Sequence, residues 1–215
     1  KSFYKIAQFW GKTILYGMGF WSEIAHTKEI VRSQSYIFLA NHTSMIDIML
    51  MLSVVDNPSV FIGKEELTKI PLFGYFFKRT SITVNRKSLS SRKGVYALAK
   101  QRLENGLSIC VFPEGLVPDD ESTVLSEFKN GAFILAIEHQ IPIVIMTFFD
   151  CKKRFSYTPL SGQPGKLRVK IHPLIFTEGL SIKDKDRLKK QAFDLIYNDL
   201  YTDLSKNSLG IKRNR

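Results

Sequence analysis

Residues 36–54 read YIFLANHTSMIDIMLMLSV. The first five are apolar without interruption, the next four (Asn41-His42-Thr43-Ser44) are polar, and an apolar run resumes at Met45. A short β-rich run, a polar turn and a longer apolar run describe a strand that feeds a helix, predicted here over 36–40 and 45–54. A strand with one wet face would alternate polar and apolar residues. This one does not, so both of its faces are predicted to be covered.

The pattern recurs on both sides. Residues 60–63, 82–84, 107–112 and 141–149 are further short apolar runs, and helical patterns cover 91–105, 127–139 and 183–204. Alternation of this kind predicts an α/β fold, a single domain whose mixed, mostly parallel sheet is covered by helices. Residues 166–172 alternate charged with apolar side chains and are predicted to form a later, partly exposed strand. Residues 3–20 place Phe3, Ile6, Phe9, Trp10, Ile14, Met18 and Phe20 near helical spacing with Lys1, Lys5 and Lys12 between them, although Gly11, Gly17 and Gly19 weaken a helix. Such an N-terminal amphipathic helix suits either packing on the domain or an interfacial position in a lipid headgroup layer. The expected division is therefore residues 1–30 as an N-terminal helical segment and 31–215 as the α/β domain.

Composition bounds the function. The chain has 215 residues, 44% of them hydrophobic, which excludes a disordered or fibrous protein. Its 31 Lys and Arg against 20 Asp and Glu give a formal charge of +11, which favours an anionic partner. Two cysteines, Cys110 and Cys151, imply neither a disulfide framework nor a zinc site, and a reducing compartment is expected. Charged residues interrupt every apolar run before the roughly 18 residues a spanning helix needs. The sequence opens on Lys1 rather than Met, which leaves room for residues upstream. Basic charge with 12% aromatic residues also describes nucleic-acid-binding modules, but no helix-turn-helix, RNA-recognition or zinc pattern accompanies it, and no nucleic-acid partner is expected. Asn41-His42-Thr43 matches a glycosylation acceptor, yet it directly trails a buried-looking strand with no secretory signal in view.

In an open α/β sheet, ligands bind beyond the carboxyl ends of the strands. Four such ends carry unusual polar groups: 41–47, 64–66, 85–87 and 113–115. His42 and Asp47 are too far apart in sequence to share a helix face, but can meet if His42 precedes the helix. Ser44, three residues before Asp47, fits a capping box that begins the helix there. A carboxylate on one ring nitrogen would fix the tautomer and raise the basicity of the other, as a general base requires. Asp47 would equally serve as a plain cap. Lys64 and Arg86 come directly after consecutive strands and would suit a phosphate, Arg86 by a fork and Lys64 as a point charge. Pro113-Glu114-Gly115 is a turn whose Glu114 gains interest beside His42.

Asn41-His42-Thr43-Ser44-Met45-Ile46-Asp47 and Phe112-Pro113-Glu114-Gly115, in that order, resemble the signatures of the 1-acyl-sn-glycerol-3-phosphate acyltransferases, with the 82–86 and 141–144 segments in the places of two further family blocks. The resemblance spans about residues 36–149. It implies a fatty acyl transfer from coenzyme A or acyl carrier protein to the free hydroxyl of a lysophospholipid, with no further cofactor and no metal. It implies His42 as base, Asp47 as its orienting partner, Lys64 and Arg86 on the acceptor phosphate, and Glu114 with Gly115 shaping the acceptor pocket. It also implies that the 1–30 segment docks on an anionic membrane surface, peripheral or monotopic, at the cytoplasmic face. The family continues Phe-Pro-Glu-Gly with Thr and Arg. Here Leu116 and Val117 stand instead, so another lysolipid, such as an acylated amino acid lipid, remains an alternative acceptor, and a lipid- or nucleic-acid-binding module without catalysis an alternative class.

Overall fold

A computed structural model describes residues 2–25, 30–69, 73–84, 89–118, 120, 122–156 and 162–213. The first half contains α1 (Ser2–Gly17), β1 (Phe20–Ala25), β2 (Ile37–Ala40), α2 (Ile46–Val54), β3 (Ser59–Lys64), α3 (Phe73–Thr80), β4 (Ser81–Val84) and α4 (Leu89–Glu104). The second contains β5 (Ser108–Val111), α5 (Gly131–Glu138), β6 (Ile143–Phe148), α6 (Cys151–Arg154), β7 (Gly165–Ile171) and α7 (Lys185–Arg213). The strands form one sheet in the order β1-β7-β6-β2-β5-β3-β4. All neighbours are parallel except β6 and β7.

Two cores explain the unbroken apolar strands. Tyr36, Phe38 and Ala40 point to one face, where Tyr4, Ala7 and Leu15 of α1 and Leu50 and Met51 of α2 cover them. Ile37 and Leu39 point to the other, against Phe133 and Ala136 of α5 and Leu188, Ala192 and Ile196 of α7. Every residue of β2 is buried, as its composition requires.

Several elements differ from expectation. The N-terminal helix stops at Gly17 rather than continuing to residue 20, because Gly19 takes φ +77° and a Cβ there would lie 2.8 Å from Pro164. Residues 20–25 then form β1, the edge strand of the same sheet, with Phe20 its one buried residue. Strand β7 alternates and is partly exposed, as predicted: Leu167, Val169 and Ile171 enter the first core, while Arg168 and Lys170 on the other face meet Asp203 and Asp199 of α7. α5 begins at Gly131 rather than 127, since the Lys129 N–H is drawn to the Pro113 carbonyl. The short helices α3 and α6 have no counterpart in the sequence pattern.

Candidate active site

β2 ends in the middle of the sheet, and its last side-chain bonds set the path of the chain beyond it. Asn41 is fully buried, and its side-chain amide donates to the Phe148 carbonyl (2.9 Å) while its oxygen accepts from the Phe148 N–H (2.8 Å). The chain leaving β2 is thus pinned to the end of β6. His42 comes next, in the turn before α2.

The pairing expected from sequence is present. His42 Nδ1 lies 2.9 Å from Asp47 Oδ2, and Asp47 sits fully buried in the first turn of α2. The same oxygen accepts the N–H groups of Thr43 (2.6 Å) and Ser44 (2.7 Å). With Oδ2 accepting throughout, the neutral ring carries its hydrogen on Nδ1 and turns the Nε2 lone pair away from Asp47. The capping box forms only by half. Asp47 reaches back to the Ser44 N–H, but the Ser44 hydroxyl donates to the Phe155 carbonyl (2.5 Å), and the helix starts at Ile46.

The face of the imidazole stacks on Phe112, with ring centroids 4.3 Å apart and planes 17° from parallel. Phe112 in turn stacks on Phe61. Phe61 belongs to the wall of an apolar cavity of 210 Å³ bounded by Ile6, Phe9 and Trp10 of α1, Ile48 and Leu52 of α2 and Phe77 of α3.

Glu114 is buried, and its oxygens are both engaged: Oε1 accepts the His42 N–H (2.6 Å) and Oε2 the Ser126 N–H (2.9 Å). Its role is to tie the His42 turn to the 112–130 loop. Burial pushes its carboxyl up to about 7, against the opposing pull of the two backbone N–H groups and of the His42 ring. Gly115 takes φ +81° while its N–H closes the turn on the Phe112 carbonyl, a conformation glycine adopts without cost. Leu116 is exposed beside it and Val117 half-buried.

Lys64 ends β3 in register with Val84, at the same edge of the sheet as His42; its side chain and all of Arg86 lie outside the described residues. Neither thiol suits nucleophilic attack. Burial pushes Cys110 up to about 12, and burial together with the adjacent Asp47 carboxylate raises Cys151 well above the usual thiol range. Among the described residues no group of His, Cys, Asp and Glu is arranged to hold a metal ion. Sequence reading assigns no role to Asn41 or to the Phe112 ring; their places at the ends of two neighbouring buried strands are the available signal.

The acyltransferase family model matches residues 23–148. The chain belongs to the acyltransferase family. It is 28% identical over 177 residues to human 1-acyl-sn-glycerol-3-phosphate acyltransferase beta, covering 79% of this chain and 60% of that one. With the human alpha protein it shares 29% identity over 201 residues, covering 88% of this chain and 68% of the relative. The chain thus spans about three fifths to two thirds of the length of these relatives. The crystal structure of the 1-acyl-sn-glycerophosphate acyltransferase PlsC from Thermotoga maritima superposes with a TM-score of 0.76 at 23% identity, covering 93% of this chain and 78% of that one. The α/β fold and the family resemblance expected from the two motifs are borne out.

The raised Glu114 carboxyl has a thermodynamic consequence. Between its ordinary value of 4.5 and about 7 the folded protein holds a proton that the unfolded chain has released, so the stability Glu114 contributes falls as pH rises through that window. Urea denaturation from about pH 4.5 to pH 8 should show the stability of wild type relative to Glu114→Gln declining with pH; a pH-independent difference would contradict it.

Proposed function

We propose that the chain transfers a fatty acyl group from a thioester donor, acyl-CoA or acyl carrier protein, to the free hydroxyl of 1-acyl-glycerol-3-phosphate. The observation that carries this is the His42 Nδ1–Asp47 contact of 2.9 Å at the carboxyl edge of the central strand, with Nε2 left to act. His42 Nε2 takes the hydroxyl proton as the acceptor oxygen attacks the thioester carbonyl. Asp47 stabilises the imidazolium that forms. When the tetrahedral adduct collapses, the C–S bond breaks and the departing sulfur receives the proton from His42. No acyl-enzyme is required, because alignment of a thioester and a hydroxyl supplies much of the barrier reduction. Both cysteines are thereby dispensable to the chemistry.

Supporting groups fall on either side of the dyad. Glu114 and Gly115 shape the acceptor region by holding the turn that carries His42. Lys64, the last residue of β3, and Arg86, two residues beyond β4 in sequence, are assigned the phosphate contacts. The apolar cavity beyond Phe112 suits a fatty chain. Leu116 and Val117 favour a second reading in which the acceptor is another lysolipid, since the turn beside Glu114 offers no cation.

Helix α1 supports a membrane-bound setting. It packs Tyr4, Ala7 and Leu15 inward, yet Ile6, Phe9 and Tyr16 are exposed on its outer side among Lys5 and Lys12, with Phe9 at 73%. An outer face mixing large apolar groups with lysines suits the surface of an anionic bilayer. No helix among the described residues is long and apolar enough to cross one.

With labelled acyl donor and lysophosphatidic acid, His42→Ala should lower turnover by about 10²–10⁴-fold while circular dichroism stays native, and Asp47→Asn should take a large share of that loss. A folded His42→Ala protein with near-normal transfer would refute the assignment. Ile6→Ser/Phe9→Ser, which alters the outer face of α1 and the rim of the apolar cavity it borders, should reduce co-sedimentation with vesicles containing anionic lipid, and raised salt should reduce it further. Binding indifferent to both would remove α1 from the membrane.

A further inference from the structure

Two residues of helix-capping type near the dyad serve a neighbouring element instead of their own helix. Asp150 immediately precedes α6, yet its carboxylate makes no bond to the first turn of that helix. Ser44 stands before α2, yet its hydroxyl hydrogen goes to the carbonyl of Phe155, at the end of α6 (2.5 Å). Between these two diverted caps runs a chain of contacts that leads from α7 to the turn carrying His42. Arg168 of β7 holds its outer end. The backbone N–H (2.8 Å), Nε (2.8 Å) and Nη2 (2.7 Å) of this one residue all donate to the Asp150 carboxylate, which is buried. Its Nη1 and Nη2 also donate to Asp203 of α7 (2.7 and 2.9 Å). A buried carboxylate is costly unless donors surround it, so Asp150 lies where Arg168 puts it.

From Asp150 the chain of contacts passes through α6. The Asp150 carbonyl accepts the Arg154 N–H and the Cys151 carbonyl the Phe155 N–H, both at 2.8 Å. The Phe155 carbonyl then accepts the Ser44 hydroxyl, in the same turn whose N–H groups bind Asp47. Cys151, buried at the start of α6, stands beside the Asp47 carboxylate. The His42 turn is thus held from the β6 side at two levels, by Asn41 on Phe148 and by Ser44 on Phe155. We infer that Arg168 is a positioning residue for His42, acting through Asp150, α6 and Ser44 to fix the turn in which the imidazole meets Asp47. Lys170, two residues along the same strand, supplies the contrast: it joins β7 to Asp199 of α7 (2.7 Å) and leaves Asp150 to Arg168. The inference rests on acyl transfer at His42.

In steady-state assays of the intact chain, Arg168→Gln should lower kcat by about tenfold or more, the scale on which a displacement remote from the chemistry acts, while the KM values of donor and acceptor stay put. Arg168→Lys, which keeps the charge but not the fork, should recover only part of that loss. Lys170→Ala should turn over like wild type. Ser44→Ala should also lower kcat, and Arg168→Gln/Ser44→Ala should lose little more than the worse single variant, because both cut one path. Long-range ¹H–¹⁵N spectra should show the Nδ1–H tautomer of His42 less populated in Arg168→Gln and unchanged in Lys170→Ala. Losses that multiply in the double variant, Lys170→Ala as damaging as Arg168→Gln, or an effect confined to KM would overturn the assignment. Should Arg168→Gln not fold, Arg168→Lys takes its place in the same comparisons, and a folded Arg168→Lys with wild-type kcat and spectra would overturn it equally. The two levels separate: a wild-type chain that transfers no acyl group would defeat the catalytic reading and leave the spectra to decide the positioning, whereas transfer with kcat and the His42 ring indifferent to Arg168 would do the reverse.

Discussion

One carboxylate oxygen organises the site. Asp47 Oδ2 is buried in the first turn of α2 and gathers the His42 ring and the N–H groups of Thr43 and Ser44. A buried acceptor of this kind is costly unless its surroundings donate to it, and here the backbone of the preceding turn and the start of a helix do so. Because the helix that carries it packs Leu50 and Met51 into the first core, the oxygen is anchored to that core. The imidazole is held by that bond at its edge and by Phe112 against its face. His42 therefore presents Nε2 in a set direction before any substrate arrives, which is the kind of preorganisation that proton transfer between aligned groups requires.

The sheet supplies the rest of the geometry. With both faces buried, the exposed ends of β2, β5 and β6 are where polar side chains can gather without loss of core, and the ties run between those ends. Asn41 joins β2 to β6, and Glu114 joins the turn after β5 to the turn after β2. Each tie satisfies backbone groups that would otherwise be buried without partners. The edge then divides by chemistry. Toward β3 and β4 an aromatic and aliphatic cavity lies beside the sheet under α1, while Lys64 closes β3 at the edge itself; toward β6 and β7 basic and acidic side chains stand together.

Much of this is legible in the sequence where local pattern and tertiary demand agree. The uninterrupted 36–40 run can be satisfied only by a doubly covered strand, and the His42–Asp47 spacing only by a helix that begins between them. β1 is not legible, because FWSEIA buries only Phe20 and its pairing with β7 rests on backbone hydrogen bonds that side chains do not advertise. The sequence motif implies that Glu114 shapes the acceptor pocket but not through which groups: its oxygens accept the N–H groups of His42 and Ser126, and a motif shows that a carboxylate is present and not which donors it meets.

His42 can act as a base through Nε2 only if Nδ1 bears the hydrogen of the neutral ring, and this is directly observable. Long-range ¹H–¹⁵N spectra of protein labelled at histidine, with His42 assigned by comparison to His42→Gln, should show the neutral ring as the Nδ1–H tautomer with Nε2 unprotonated, and that preference should be lost in Asp47→Asn. A neutral ring protonated at Nε2 in the wild-type protein, or one whose tautomer ignores the loss of the Asp47 carboxylate, would contradict it.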